Sequence, residues 1–264
     1  MSVTFVHSDL RNVLRVHRGS NRGVVLDEVL NEIRREAIGD LWMPTFNYGF
    51  CRGEDFIVAE TRSECGVLSE HFRRHLSNWR TNVPIFSVAG EGRMPQVESE
   101  GPLILPFGPR SVFEALVVAG GFVLMAGCTL PFLNLAHYAE VADGVEVLYR
   151  YDKDFPGTVE RLDGSRQAVV TRYHVTPLAN RVLYDWSKID ARMSAAGVVR
   201  SIPKWGQSTM VDAKAFVLLW KTMSSHDPFW PLLESSRRWV EPMCERLGRG
   251  FRRADFEVTV APKE

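Results

Sequence analysis

Runs of apolar residues with different spacings follow one another along the first part of the chain, and each spacing predicts an element. Residues 4–7 form a short β-prone run. Residues 24–33 place apolar side chains at intervals of three and four, which predicts a helix. Residues 41–43 predict a buried strand that ends at Pro44. The order strand, helix, strand is typical of a βαβ unit with parallel strands.

The same alternation of strands and helices continues toward residue 142. We predict a helix over 66–75, a short strand over 85–88, a helix over 113–118, a buried strand over 122–125 and a helix that begins near His137. Strands that alternate with helices predict an α/β fold, here a three-layer α/β/α sandwich around a mostly parallel or mixed central sheet. Ligand sites in such folds form at the carboxyl ends of the strands.

The hydrophobic pattern changes after Gly144. Apolar and polar residues alternate over 145–172 around a turn at Asp163-Gly164, which predicts an antiparallel hairpin and a smaller β-containing second lobe. Helical spacing returns over 213–223 and 232–247. We therefore predict a single domain over residues 1–264, divided into an α/β core (1–144), a β-hairpin lobe (145–211) and C-terminal helices that pack on the core (212–264).

Composition and charge narrow the classes of partner. The chain has 264 residues, of which 45% are hydrophobic and 24% charged, as is usual for a soluble globular protein with a large core. Lys+Arg and Asp+Glu both number 32, so no basic excess favours nucleic acid or an anionic membrane. We expect neither as a partner. The lack of an acidic excess also argues against a strongly polycationic substrate.

Cysteine spacing and apolar segments suggest the compartment. The four cysteines show no close pairing and no CxxC spacing, so neither a disulfide framework nor a thiolate zinc site is predicted. Residues 1–7 contain no basic or apolar region of signal-peptide type. The longest apolar stretch, 115–125, is too short to cross a bilayer. We expect a cytoplasmic protein.

His137 and Glu140 are the strongest candidates for chemistry. Residues three apart on a helix share a face, with Cβ atoms about 5–6 Å apart. An imidazole titrates near neutrality and can take a proton from a weakly acidic group. A carboxylate beside it fixes its tautomer and stabilises the imidazolium that forms. The pair predicts a general base with its orienting group, although an isolated His-x-x-Glu pair is more often a surface ion pair.

Six short motifs occur in order along the chain. They are VHSDL at 6–10, MPTF at 43–46, TxSxxG at 61–66, RTNVPIFSVAG at 80–90, PFGPRS at 106–111 and HYAE at 137–140. Together they resemble the antibiotic N-acetyltransferase family, typified by aminoglycoside 3-N-acetyltransferases that use acetyl-CoA. The resemblance is close over residues 3–151 and looser over the remainder. It implies an acyltransferase whose core binds CoA and whose hairpin lobe meets the acceptor.

The resemblance implies that several of these motifs contact CoA. The 6–10 turn follows a strand and precedes a helix, so its backbone N–H groups and the Ser8 hydroxyl suit a pyrophosphate. The predicted cofactor-binding residues are His7, Ser8, Asp9, Leu10, Asn82, Val83, Ser87, Phe107 and Ser111. A structural interpretation remains open for each segment: a strand-to-helix turn, a buried strand with its exit turn, or a helix N-cap.

The predicted catalytic residues are His137, Glu140 and Thr45. The resemblance implies direct acyl transfer from acetyl-CoA, without an acyl-enzyme and without a metal. His137 would take a proton from the acceptor amine while Glu140 orients the ring. Thr45 lies at the end of a predicted strand, and either its hydroxyl or backbone N–H groups would stabilise the thioester oxyanion.

The acceptor is predicted from departures from the family pattern. Val83 stands where resistance enzymes carry a His before the Pro, and Leu133-Asn134 stand where they usually carry Asn-Thr. The neutral charge argues against an aminoglycoside, and Val83 together with the Tyr149-Arg150-Tyr151 run resembles the branch found in surface-polysaccharide and natural-product pathways. The predicted acceptor is the amine of an amino sugar, free or nucleotide-linked. Arg150 or Lys153 would face an anionic group of such an acceptor, although solvated charges are the simpler interpretation. The alternative is an aminoglycoside 3-N-acetyltransferase that confers antibiotic resistance.

Other interpretations of the same residues remain. His137 and Glu140 would suit two ligands of a metal-dependent hydrolase, although no third ligand is evident nearby. A binding protein that kept the fold without activity is the other alternative. Cys128 is interpreted as a buried small residue and not as a nucleophile. His71 and His75 are interpreted as a solvated helix face, and the protein is expected to be a monomer or a homodimer.

Overall fold

The first half of the chain forms strands and helices in alternation. The computed structural model describes residues 2–13, 22–97, 101–142, 146–178 and 181–257. In chain order the elements of this half are β1 (Val3–Ser8), α1 (Leu10–Val13), α2 (Arg22–Glu36), β2 (Asp40–Pro44), β3 (Phe56–Ile57), α3 (Val67–His75), β4 (Trp79–Arg80), β5 (Val88–Gly90), β6 (Leu103–Ile104), α4 (Val112–Val118), β7 (Phe122–Ala126) and α5 (Leu135–Val141).

The second half contributes four strands and three helices among the described residues. They are β8 (Tyr151–Glu160), β9 (Arg166–Val175), α6 (Trp186–Ala195), β10 (Val199–Ile202), β11 (Ser208–Asp212), α7 (Ala213–His226) and α8 (Glu234–Leu247). Single turns of 3₁₀ helix lie at Gly49–Arg52, Leu130–Phe132 and Arg253–Asp255.

Seven strands form a mixed central sheet in the order β10-β11-β7-β1-β2-β5-β4. β1 pairs in parallel with both β2 and β7, whereas the outer pairs are antiparallel. The parallel pairing of β1 and β2 around α2 confirms the βαβ unit that the sequence predicted.

The two faces of this sheet carry separate apolar layers. Phe5 packs in a cluster that includes residues of α4, α5 and α7. Val6, the next residue, packs in a second cluster with residues of α2 and α3. Because successive side chains of a strand point to opposite faces, this separation means that helices cover both sides of the sheet. The predicted three-layer α/β/α sandwich is confirmed.

A second sheet has the order β3-β8-β9-β6. Its centre is the predicted hairpin, in which ten residues of β8 pair with ten of β9. The turn contains Gly164 with a φ of 80°, a backbone conformation that glycine adopts without steric cost. This sheet is the smaller β-containing lobe.

Two strands that the sequence did not predict extend the central sheet. β10 pairs with β11, and β11 pairs with β7 in antiparallel register. They belong to the segment assigned by sequence to the hairpin lobe, whose boundaries at 144 and 211 remain an interpretation. Arg200 and Ser201 are exposed on the edge strand β10, so no apolar run marks it.

The predicted strand over 85–88 is wrong over its first three residues, because β5 begins only at Val88. Ile85 has a φ of 69°, which is incompatible with a strand and rare for a β-branched residue. Its carbonyl accepts a hydrogen bond from the Asn47 backbone N–H at 3.0 Å, and its side chain is buried. Tertiary packing at this loop therefore overrides the local strand preference.

Among the described residues, no helix combines the length and apolar character needed to span a membrane.

Candidate active site

α5 carries the predicted base on a very short helix. Its seven residues follow the 3₁₀ turn Leu130–Phe132, which itself follows β7. Leu135, Ala136 and Ala139 are buried in the main apolar cluster. Because an isolated helix of this length is marginal in water, the packing of these residues must hold α5 in place. His137 and Glu140 are thereby fixed relative to the sheet.

Glu140 and His137 face each other at an intermediate distance. His137 Nδ1 lies 3.5 Å from Glu140 Oε2, longer than a well-formed hydrogen bond. The Glu140 side chain is fully buried, whereas that of His137 is 27% exposed. His137 Nδ1 is itself buried and has no hydrogen-bond partner among the described residues. Proton exchange with a bound substrate would therefore use Nε2.

Three further side chains bind the Glu140 carboxylate. Arg150 donates from Nε to Oε1 at 3.0 Å, and the Tyr184 hydroxyl also bonds to Oε1. Arg150 Nη2 donates to the Tyr184 hydroxyl at 2.6 Å. His174 Nε2 lies 2.9 Å from Oε2. A buried carboxylate is tolerated when it is paired and hydrogen-bonded in this way.

These contacts set the charge states of the pair. Burial lowers the pKa of His137 to about 4, and Arg150 acts in the same direction, while Glu140 opposes both. Burial by itself would raise the pKa of Glu140, but Arg150, His137 and His174 lower that pKa well below its usual range. At neutral pH the ring is uncharged and the carboxylate is ionised. A neutral imidazole beside a carboxylate is the arrangement that general-base catalysis requires.

Phe107, predicted to bind the cofactor, holds the ring of His137. Their ring centroids are 5.0 Å apart, and Phe107 also lies 6.1 Å from His174 and 5.1 Å from Phe113. Phe107 is buried. Its position orients both imidazoles from one side.

A cavity of about 440 Å³ opens beside the start of α5. Four of the predicted cofactor-binding residues line it: His7, Ser8, Asp9 and Leu10. Asn134, at the start of α5, lines it as well. His7 Nε2 is buried without a hydrogen-bond partner among the described residues, and burial lowers the pKa of His7 to about 3.

Thr45 and Ser87 lie together in a buried polar cluster. The Ser87 hydroxyl donates to the Thr45 carbonyl at 2.7 Å, and the two hydroxyl oxygens are 2.9 Å apart. The Thr45 hydroxyl therefore donates its proton to Ser87 and accepts from Arg80 Nε at 3.1 Å. Neither side chain is exposed. The structure thus places these two predicted residues in a network that leaves the Thr45 proton occupied.

Three further residues predicted to bind the cofactor, Asn82, Val83 and Ser111, lie away from the larger cavity. Val83 is buried in the main apolar cluster. Ser111 caps α4, since its Oγ accepts a hydrogen bond from the Glu114 backbone N–H at 3.2 Å. Asn82 is half-buried. None of these three lines the 440 Å³ cavity.

A second, smaller groove lies near the end of α5. Its volume is about 190 Å³, and its lining includes Phe107, Val141, Asp152, Tyr173 and His174. Val141 ends α5, whereas Asn134 at the start of the helix lines the larger cavity. The two cavities therefore meet opposite ends of α5, and His137, which lies between those ends, is not itself a lining residue of either cavity.

Sequence reasoning missed the residues that surround Glu140. His174 and Tyr184 were not selected, because they are 34 and 44 residues from Glu140 and share no motif with it. Arg150 was interpreted either as a contact for an anionic substrate group or as a solvated charge, but its side chain is buried against Glu140. The only available signal was the Tyr149-Arg150-Tyr151 run, an arginine between two bulky aromatic residues.

The structure supplies the third group that the metal-hydrolase alternative lacked. Ligand atoms of His137, Glu140 and His174 lie within 4.8 Å of one another. However, the Arg150 guanidinium already neutralises the same carboxylate at 3.0 Å, and a second cation there would be repelled. The cluster therefore suits a proton acceptor better than a metal ion. Cys128 is no nucleophile either, because burial raises the pKa of its thiol to about 12.

The fold is similar to solved aminoglycoside acetyltransferases. AAC(3)-Xa is 20% identical, with 85% of this chain and 87% of that chain covered at a TM-score of 0.65. AAC(3)-IVa, solved as the apoenzyme, is 21% identical, with 90% and 87% covered at 0.64. AAC-IIIb, solved as a binary complex with CoASH, is 18% identical, with 85% and 90% covered at 0.65. No curated protein sequence matches the chain.

A family profile covers most of the chain. Residues 5–223 match the antibiotic N-acetyltransferase family, described as aminoglycoside 3-N-acetyltransferase. This match confirms the predicted resemblance, the enzyme class of N-acetyltransferase and acetyl-CoA as the acyl donor. The chain belongs to the aminoglycoside 3-N-acetyltransferase family.

Proposed function

We propose that this chain transfers the acetyl group of acetyl-CoA to an amine of an aminoglycoside, with His137 as the general base. The observation that carries the proposal is the pair in which a half-buried, uncharged His137 faces a fully buried, ionised Glu140. Family membership favours this acceptor over the biosynthetic amino sugar that the sequence first suggested. We therefore favour the aminoglycoside acceptor, which was the alternative from sequence.

The contacts of two basic residues also argue against a nucleotide-linked amino sugar as the acceptor. A nucleotide-linked acceptor would need a cation for its anionic group, and the sequence offered Arg150 or Lys153 for this role. Arg150 is buried and bound to Glu140 and Tyr184. Lys153 pairs with Glu257 at 2.7 Å. Neither cation is therefore available to an anionic substrate without breaking an existing contact.

Structural neighbours bind acceptors of this class. A variant of AAC(3)-IVa has been solved with apramycin and also with a gentamicin, at 20% identity to this chain in both cases. AAC-VIa has been solved with sisomicin, at 17% identity. At these identities the likeness demonstrates the fold alone, so the acceptor of this chain remains a proposal.

The two cavities at the ends of α5 suggest where each substrate lies. We assign acetyl-CoA to the larger cavity, because the turn with Ser8 and its neighbours lines it. We assign the reacting ring of the acceptor to the smaller groove, where the Asp152 carboxylate attracts an ammonium group, whereas the other charged lining residue, Arg172, is paired with Asp154. A groove of about 190 Å³ is below the usual range for a whole drug-sized ligand, so the other rings would extend into solvent.

The reaction follows from this placement. The acceptor nitrogen attacks the thioester carbonyl, a C–N bond forms, the C–S bond breaks, and CoA leaves as its thiolate. His137 Nε2 takes the proton that the nitrogen loses and returns it to the departing sulfur. Glu140 stabilises the imidazolium between these two steps. A positioned base contributes about 10²–10⁴-fold. Because the Thr45 proton is bound to Ser87, Thr45 would act by positioning the loop, and backbone N–H groups would stabilise the oxyanion.

The test is the release of free thiol from acetyl-CoA with two acceptor sets, common aminoglycosides and amino-sugar nucleotides. We expect turnover with aminoglycosides and a loss of about 10²–10⁴-fold in the His137→Ala variant. His71→Ala is the matched control, because His71 also pairs with a carboxylate, Asp27, at 2.7 Å. Turnover only with sugar nucleotides would restore the biosynthetic interpretation. Unchanged rates in His137→Ala would remove the assignment of the base.

A further inference from the structure

We propose that His174 is a positioning residue that shares one oxygen of Glu140 with the base, holding it in the free enzyme and yielding it when His137 becomes protonated. The proposal rests on the proposed function, since it presupposes that His137 accepts a proton. It adds a third group to the His137–Glu140 pair, delivered from the second sheet.

The distances around Glu140 Oε2 are unequal. His174 Nε2 lies at 2.9 Å, whereas His137 Nδ1 lies at 3.5 Å from the same oxygen. Ionised Glu140 can only accept hydrogen bonds, so His174 must carry its proton on Nε2 and donate it. His137 Nδ1, at the longer distance, is a buried nitrogen without a close partner among the described residues. In the resting site Glu140 Oε2 therefore accepts a hydrogen bond from His174 and not from His137.

The other oxygen of Glu140 is anchored. Arg150 and Tyr184 both bind Oε1, and they also bind each other. The carboxylate can thus rotate slightly about this anchor but cannot leave the site. A small rotation is sufficient to move Oε2 from His174 toward His137. This movement would strengthen the orienting hydrogen bond at the moment when the ring carries its charge.

His174 reaches the site from a different part of the fold. It lies near the end of β9, opposite Asp152 on β8. Its side chain is 7% exposed, and its ring centroid is 5.5 Å from that of His137. The base therefore lies at the junction of the two sheets, and His174 is the link between β9 and α5.

The charged and titratable groups around the two rings are few. His137 meets Glu140, His174 and the charge of Arg150. Glu140 meets His137, His174 and Arg150 together with Tyr184, and Tyr149 lies close enough to interact with it. His174 lines the smaller groove with two charged side chains, Asp152 and Arg172.

Removal of His174 should change the pKa of His137 in one direction, and a purely structural role of His174 does not predict such a change. Without its donor, Glu140 Oε2 can bond fully to His137, and this bond favours the charged form of the ring. We therefore expect the pKa of His137 to rise by about one unit in His174→Leu. His174→Gln places an amide N–H near the former Nε2 position, so the pKa should stay close to that of the unmodified protein.

The experiment is a ¹⁵N NMR titration of the histidine rings in the acceptor-free protein, together with the pH profile of kcat/KM. His71→Leu is the matched control, because it removes a histidine that pairs with a carboxylate, Asp27, and His71 lines neither of the two cavities. A pKa of His137 that is higher by NMR in His174→Leu, but in neither His174→Gln nor His71→Leu, supports the proposal, and the acid limb of kcat/KM should move to higher pH with it. An equal shift in His71→Leu, or no shift in His174→Leu, overturns it.

A second measurement needs no destabilising variant. The ¹⁵N spectrum of the unmodified protein at neutral pH reports which nitrogen of His174 carries the proton. The proposal requires Nε2–H, and an Nδ1–H tautomer would overturn it even if His174→Leu does not fold. Because neither NMR measurement requires turnover, failure to find an acceptor would leave this result intact, and the two proposals fail separately.

Discussion

Two buried arginines hold two polar clusters in this protein, and they differ in what they bind. Arg80 is surrounded by neutral acceptors: the carbonyls of Thr45, Val58 and Thr61 and two hydroxyl groups. Arg150 binds the ionised Glu140. Burial lowers the pKa of Arg80 to about 9, with Arg73 acting in the same direction. Although burial also opposes the charge of Arg150, Glu140 raises the pKa of that group.

This difference separates a structural role from a chemical one. Arg80 joins the ends of β2 and β5 to the segment after β3, and so holds the loops that carry Thr45 and Ser87. Arg150 determines the charge of the carboxylate beside the base. Burial of a cation therefore says little about function until its partners are known. Substitutions at the two clusters should have different consequences.

The largest effect on turnover is expected at Glu140. Glu140→Gln preserves the shape of the side chain but leaves the Arg150 charge buried and unpaired. Breaking a buried pair in this way costs about 3–5 kcal/mol. We expect this loss in urea unfolding, together with a large loss of turnover. Glu234→Gln is the control, since its partner Arg238 is exposed and such pairs contribute at most about 1 kcal/mol. Equal losses in both variants would contradict the assignment.

Substitution of each arginine by methionine tests whether the cluster around Arg80 is structural and the cluster around Arg150 is chemical. Arg80→Met leaves several buried acceptors unsatisfied, at a cost of about 1–3 kcal/mol for each such group. We expect lower stability in urea but an unchanged acid limb of kcat/KM. Arg150→Met removes the charge that lowers the pKa of both His137 and Glu140. Its acid limb should therefore move to higher pH. The same shift in Arg80→Met would show that the two clusters are not independent.

Acid should destabilise the protein through its buried histidines. The pKa of His7 is about 3 in the folded protein and that of His137 about 4, against 6.5 for an ordinary histidine. Between these values the unfolded chain binds protons that the folded protein does not. Stability should thus fall as pH decreases from 6.5, by about 1.4 kcal/mol per unit for a fully buried group.

His7→Asn removes one of the two responsible groups. We expect a shallower dependence of the free energy of unfolding on pH between 6.5 and 4, measured with urea at each pH. His226→Asn is the control, because His226 lies at the end of α7 and is exposed. An unchanged slope in His7→Asn would mean that His7 titrates in the folded protein as it does in the unfolded chain.

The smallest effect is expected at Ser111. Its Oγ caps α4, and loss of such a cap costs about 1 kcal/mol. Ser111→Ala should lower stability by this amount. If Ser111 also binds the cofactor, as its motif suggests, the KM for acetyl-CoA should rise in addition. A stability change alone would assign Ser111 to the fold, and Ser111→Asp, which keeps the cap, would then restore it.

The correct predictions of secondary structure depend on local sequence patterns, whereas the wrong or missed ones depend on contacts between distant residues. The helical spacing over 24–33 and the alternation over 145–172 predicted α2 and the β8–β9 hairpin, because periodicity is a local property. Ile85 failed as a strand residue because its left-handed backbone depends on a contact with Asn47. The edge strand β10 was missed because its exposed residues carry no apolar pattern.

The sequence by itself determined the fold class, the family and the candidate pair on α5. His137 and Glu140 are three residues apart, and helical geometry alone places such residues on one face. Only the tertiary structure decided how that pair is charged. Arg150, His174 and Tyr184 come from separate segments of the chain, and burial of the whole cluster sets the pKa values. Electrostatic energies depend on distance and solvent exposure in three dimensions, which no spacing along the chain encodes.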